Sequence, residues 1–185
     1  MLVIENTRFG RIEVDPGAII HFPVGLVGFP EQTSFVLLER EEGRLIAYLQ
    51  SVGTPELAFP VADGVMFGAE YPQPGVSTLA AQHSFTGDDI ALIVVLAVNP
   101  ETKNLEANLL APILVDVEAR RGVQVVLDAR KYSAAVPLAL TEKQSRDPDP
   151  VAEAKRRIAA IRARTHAPPV ERRATAEKTA TPARP

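Results

Sequence analysis

From Met1 to Asp128 the apolar residues come in short β-branched runs closed by turn residues, the signature of strands. Leu2 to Glu5 and Arg11 to Val14 flank Arg8-Phe9-Gly10, which predicts a hairpin with glycine at or near its turn. Further strands are predicted over Ala18 to Phe22, Ser34 to Leu38, Leu45 to Val52, Leu57 to Ala62, Ile90 to Val98, Leu105 to Asp116 and Val123 to Leu127. The sum is about nine strands, at spacings that favour a closed or nearly closed antiparallel sheet. Inside this body only Ser77 to Gln82 looks helical, with Ser77 as its N-cap. Long crossover helices are absent, which disfavours a parallel sheet. The fold class is therefore all-β: a small antiparallel β-barrel-like domain with one short helix.

After Pro137 the pattern changes to Ala, Arg, Glu, Thr and Pro without an aromatic residue. Two domains follow: a β-barrel body over 1–140 and a basic tail over 141–185. Within the tail, Asp149 can cap a helix that starts at Pro150, and Val151, Ala154, Ile158 and Ile161 recur on one face. This predicts a single helix over about 150–164, with the remainder disordered for want of anything to bury. Deleting everything after Thr141 is expected to leave a folded body of nearly unchanged stability.

Charge sharpens the division. Up to Thr141 there are 9 Lys plus Arg against 17 Asp plus Glu, a net of −8; beyond it, 11 against 6, a net of +5. An acidic body attracts basic partners, and the basic tail attracts acidic ones or folds back on its own body. The chain has no cysteine, so disulfides, thiolate metal sites and cysteine nucleophiles are excluded. Met1 to Glu5 lack the start of a secretory signal, and the run Ile90 to Val98 is shorter than the about 20 residues a membrane helix needs. A cytoplasmic, monomeric protein is expected.

Catalytic chemistry finds no support. His21, His83 and His166 are far apart in sequence with no metal-ligand spacing, and His21 suits a strand face. Ser34, Ser51 and Ser84 lack the glycine frame of a nucleophile elbow. Asp88-Asp89 and Glu41-Glu42 suit solvated turns better than a shared-proton pair. No enzyme activity, cofactor or metal is expected.

Two stretches suit binding. In Phe22-Pro23-Val24-Gly25-Leu26-Val27-Gly28-Phe29-Pro30, prolines and glycines hold large apolar groups in a loop, which either plug the open end of the sheet or form an exposed apolar patch. In Asn104 to Ile113, Pro112 cannot donate to a ladder and so marks an edge or a bulge, and Asn108 can bond backbone groups where the ladder is irregular. An edge can accept a strand of another protein, whereas a bulge merely bends the sheet. A nucleic-acid-binding module is the rival reading, from Lys155-Arg156-Arg157, Arg162, Arg164 and Arg172-Arg173 in the tail. Against it, the tail has no aromatic residue for stacking, and the acidic body repels phosphates.

Arg8-Phe9-Gly10, Phe22 with Gly25 to Phe29, Leu49-Gln50-Ser51, Leu57-Ala58-Phe59, Tyr71, Asn108-Leu109 with Ala111-Pro112-Ile113, Gln124-Val125 and Tyr132 stand in an order and spacing that resembles the FliW family, over about Met1 to Leu138. The chain departs from the family pattern at Asp63-Gly64, where proline commonly follows the aspartate, and at Ala134-Ala135, where a basic residue is common. The resemblance implies a minimal all-β barrel that binds flagellin before export and sequesters the RNA-binding translational repressor CsrA, coupling flagellin synthesis to secretion. With the two stretches above, it nominates Asn108, Leu109, Pro112, Phe29, Gln50, Glu70 and Tyr71 as partner-binding residues. No direct contact with nucleic acid or membrane is expected.

Overall fold

The computed structural model describes residues 1–39, 45–68, 71–138 and 156–161. Strands β1 (Leu2–Thr7) and β2 (Gly10–Val14) form the N-terminal hairpin. Thr7 closes it: its hydroxyl donates to the Gly10 carbonyl at 2.6 Å and accepts from the Phe9 amide at 3.1 Å. Ile4, Ile12 and Val14 pack on Val36 and Leu38, so the hairpin covers the outside of the main sheet.

That sheet contains β3 (Ile20–His21), β4 (Ser34–Leu38), β5 (Ile46–Ser51), β6 (Ala58–Asp63), β7 (Ile90–Val98), β8 (Leu105–Ala107), β9 (Ile113–Asp116), β10 (Arg121–Gln124) and β11 (Val136–Pro137). Its order is β11-β8-β7-β6-β5-β4-β3-β10-β9, and a further pairing of β7 with β9 closes the ring. All pairings are antiparallel except β3 with β10, which meet in parallel at His21 and Arg121. A closed sheet lets alternate residues of each strand share one interior. Phe35 and Leu37, Ala47 and Leu49, Phe59 and Val61, Ala91 and Ile93, and Ile113 and Val115 do so, together with Ile20, Phe22 and Leu26.

Several expected elements are revised. The strand expected over Leu105 to Asp116 is two, β8 and β9, both on the same edge of β7. Between them the Asn108 amide donates to the Val95 carbonyl, and the Asn108 side-chain oxygen accepts from the Ala111 amide at 3.1 Å. The irregularity that Pro112 announces is thus an interruption of the ladder. It is not an edge, because β9 has β7 on one side and β10 on the other. Ala18 to Phe22 shrinks to the two residues of β3, preceded by a 3-10 turn over Pro16–Ala18 that Asp15 caps. The short helix α1 (Val76–Gln82) starts after Gly75 without a side-chain cap, so Ser77 is not the N-cap. It packs Leu79 and Ala80 on the outer face against Leu92 and Leu114.

The tail helix is described at residues 156–161, α2. Ile158 and Ile161 are 0% and 1% exposed and belong to the interior cluster. A buried isoleucine contributes about 1.5–3 kcal/mol relative to an exposed one, so the expectation that the body is indifferent to its tail is revised. The stretch expected to be disordered lies outside the described residues. No helix among the described residues is long and apolar enough to cross a membrane.

Candidate functional site

The register places the Phe22–Pro30 loop, the interrupted segment 108–112 and the chain after β10 at one end of the barrel. Phe22 turns inward at 0% exposure and Leu26 at 5%. Leu26 and Phe29 exchange backbone hydrogen bonds at 2.8 and 3.2 Å, which puts Val27 and Gly28 at the tip. The tip points out: Val24 is 71%, Val27 63% and Phe29 39% exposed, the Phe29 ring standing edge-on to Phe59 at 5.1 Å. Both readings of the loop therefore apply to different residues. Phe22 and Leu26 plug the barrel, and Val24, Val27 and Phe29 form an exposed apolar patch.

Gln124 ties this loop to the second stretch. Its side-chain oxygen accepts from the Val27 amide at 2.8 Å, and its side-chain amide donates to the Ala111 carbonyl at 3.0 Å. Beyond it the chain runs along 108–112, with the Val125 amide donating to the Pro112 carbonyl and the Leu127 amide to the Leu110 carbonyl. Val126, two residues beyond Gln124, is exposed at 64%. The Tyr71 hydroxyl donates to the Leu109 carbonyl at 3.0 Å, and its ring meets Tyr132 edge-on at 5.3 Å. Side-chain bonds from Gln124 and Tyr71 thus link the loop that carries Phe29, the segment with Asn108, Leu109 and Pro112, and the chain at Tyr71.

One nominated residue falls elsewhere, and one is not among the described residues. Gln50 is fully buried, and its side-chain amide donates to the carbonyls of Ser51, Pro55 and Leu57, so it shapes the β5–β6 turn from beneath. Glu70 lies outside the described residues, as does the Glu41-Glu42 doublet. Gln124 and Val126 were not nominated. Gln124 had a signal, two consecutive valines after a polar residue at a strand end, but its bridging role depends on a loop distant in sequence. Ser51 is engaged in a turn, donating to Gln32 at 2.7 Å and accepting from the Thr54 amide at 3.0 Å. Among the described residues no group of three or more His, Asp or Glu is placed to hold a metal.

Tyr71 is the perturbed group of the surface: burial, and secondarily the neighbouring Tyr132, push its phenol well above the ordinary 10.0. The native state therefore holds this proton more tightly than the unfolded chain does. Its contribution to stability is whole below about pH 10 and is lost progressively as pH rises further. Urea midpoints measured across that range should fall for the wild type and fall less for Tyr71→Phe. Equal slopes would show that the phenol does not carry the alkaline sensitivity.

Fold and surface together define a small closed β-barrel whose exposed apolar loop residues are held in place by side-chain bonds to backbone. A family model described as FliW protein matches residues 3–138. The chain belongs to the FliW family. Relatives named flagellar assembly factor FliW include one from Natranaerobius thermophilus, 36% identical over 138 residues, covering 73% of this chain and 91% of that protein. A protein from Desulfotalea psychrophila named flagellar assembly factor FliW 2 is 33% identical, covering 76% of this chain and 93% of its own. A crystal structure of the flagellar assembly factor FliW superposes with a TM-score of 0.65 at 33% identity, covering 76% of this chain and 99% of that one.

Proposed function

We propose that this protein is a flagellar assembly factor that binds flagellin in the cytoplasm and sequesters the translational repressor CsrA, coupling flagellin translation to its secretion. Membership of the FliW family, through the match over residues 3–138, carries the reading. The exposed side chains of Val24, Val27 and Phe29 on one loop supply an apolar patch suited to a protein partner. The acidic body supplies attraction for a basic RNA-binding repressor, which speeds encounter more than it sets final affinity. The protein acts by holding other proteins, without catalysis. The rival reading of the tail as a nucleic-acid-binding module loses ground because Ile158 and Ile161 turn α2 toward the interior.

Val27→Asp tests the surface cleanly, because the Val27 side chain is 63% exposed and its bond to Gln124 is made by the backbone amide, which the substitution keeps. Affinity for purified flagellin or CsrA should fall at least about tenfold, or 1.4 kcal/mol, with the melting temperature unchanged. Asn108→Ala is the less clean variant, since it removes the acceptor of the Ala111 amide and should cost about 1 kcal/mol of stability. Full retention of both partners by Val27→Asp would remove this end of the barrel from the interface.

Association with CsrA should also slow as salt rises, because exposed charges are screened within about 10 Å at 0.1 M salt. Stopped-flow association rates between 50 and 500 mM salt read this directly. Rates that do not change would exclude the acidic body from the encounter.

A further inference from the structure

Helix α2 lies beyond residue 138, where the family match ends, yet its two isoleucines complete the interior of the barrel. The relatives are matched over nearly their whole length by about three quarters of this chain, so the barrel they share is built without this segment. Here the segment meets the β9–β10 turn, at the other end of β10 from Gln124 and its bond to the Phe22–Pro30 loop. Arg120, in the turn between β9 and β10, marks the place: its guanidinium donates to the Ile161 carbonyl at 2.5 Å. Arg120 is itself only 7% exposed, so this is a buried, charge-assisted contact and not a surface pairing. Ile158 and Ile161, three residues apart, share one face and put two β-branched anchors into the apolar floor.

We propose that the C-terminal helix is a tethered ligand: the barrel carries a helix-receiving site with an apolar floor and Arg120 at its rim, and the chain's own tail occupies it. The chemistry it recognises is an amphipathic helix with two aliphatic anchors three residues apart and an accepting carbonyl at the second. The opposite charges of the two regions, −8 up to Thr141 and +5 beyond it, favour docking within the chain. A tethered segment acts at an effective concentration of the order of mM, so a helix offered by another molecule enters only after the tail has left or been outcompeted. The site is thus gated by the protein itself, whichever partner the loop end holds.

A fluorescein-labelled peptide of residues 150–164 tests this against the full-length chain, wild type and the double variant Ile158→Asp, Ile161→Asp. The double variant should take up the peptide saturably, read by anisotropy. The wild type, whose site is filled, should bind at least tenfold more weakly. A peptide carrying the same two substitutions should not bind. If the double variant has lost its fold, adding the wild-type peptide should restore cooperative melting in a concentration-dependent way, which equally supports a separable ligand. The proposal is overturned if the folded double variant ignores the peptide, if a lost fold is not restored by it, or if the wild type takes it up as readily as the variant.

Discussion

Replacing Phe22 with alanine should destabilise the protein by about 3–5 kcal/mol, the range for emptying an aromatic site in a packed core. Phe22 is 0% exposed and meets the Phe35 ring edge-on at 5.3 Å. Its ring also lies over Gly122 so closely that a Cβ there would stand 2.3 Å from it. Truncation therefore opens a cavity that the glycine cannot fill, beneath the loop that carries the exposed patch. Urea unfolding would show the midpoint falling steeply, with partner capture lost in parallel. Gly122→Ala provides the complementary test: it should be costly in the wild type and nearly neutral in Phe22→Ala, because the collision disappears with the ring. A double-mutant cycle showing no coupling between the two positions, or a loss under about 1 kcal/mol for Phe22→Ala, would contradict this packing.

Gly25→Val should produce the second large effect, and one that reaches the candidate surface directly. Gly25 has φ +67, and a Cβ there would lie 2.5 Å from both the Phe29 and Pro30 carbonyl oxygens. A branched side chain in that backbone conformation costs about 1–3 kcal/mol in strain before any collision is counted. The oxygens belong to the backbone, so relief requires the loop to open. The Leu26–Phe29 bonds would break, and Val27 would leave Gln124. Partner capture should fall more than stability does. Gly28→Asn is the contrast: Gly28 has φ +83 but nothing within 4 Å of its Cβ position, and asparagine tolerates the left-handed region. Near-wild-type binding by Gly28→Asn and near-absent binding by Gly25→Val is the expected pair of results. Equal behaviour of the two glycines would show that the crowding at Gly25 does not hold the loop.

The local code was strong where a side chain acts through its own neighbours. Short apolar runs closed by turn residues predict Ser34–Leu38 and Ile90–Val98 with the observed bounds, because strand-forming side chains and the turns that end them are adjacent in the chain. Pro112 signals an interrupted ladder because the missing amide is a property of the residue itself. The same proline cannot say whether the strand beyond it has one neighbour or two, and that β9 has both β7 and β10 follows from ring closure alone. Gln50 is nominated as a partner-binding residue through the family resemblance, on Leu49-Gln50-Ser51. Only the fold shows three carbonyls of the β5–β6 turn gathered around its amide.

By itself, then, the amino-acid sequence determined the all-β class, the main strands, the two unusual stretches and the family resemblance, since propensity, turn chemistry and motif order are written in adjacent residues. The tertiary structure decided three things that depend on residues far apart in the chain. It closed the sheet into a ring through β7 and β9. It joined the Phe22–Pro30 loop to segment 108–112 through Gln124, across 97 positions between Val27 and its acceptor. It also drew Ile158 and Ile161 from a basic, polar tail into the core, held there by Arg120. A hydrophobic stripe tells that a helix has something to bury, whereas where it is buried depends on which apolar floor the rest of the fold leaves open.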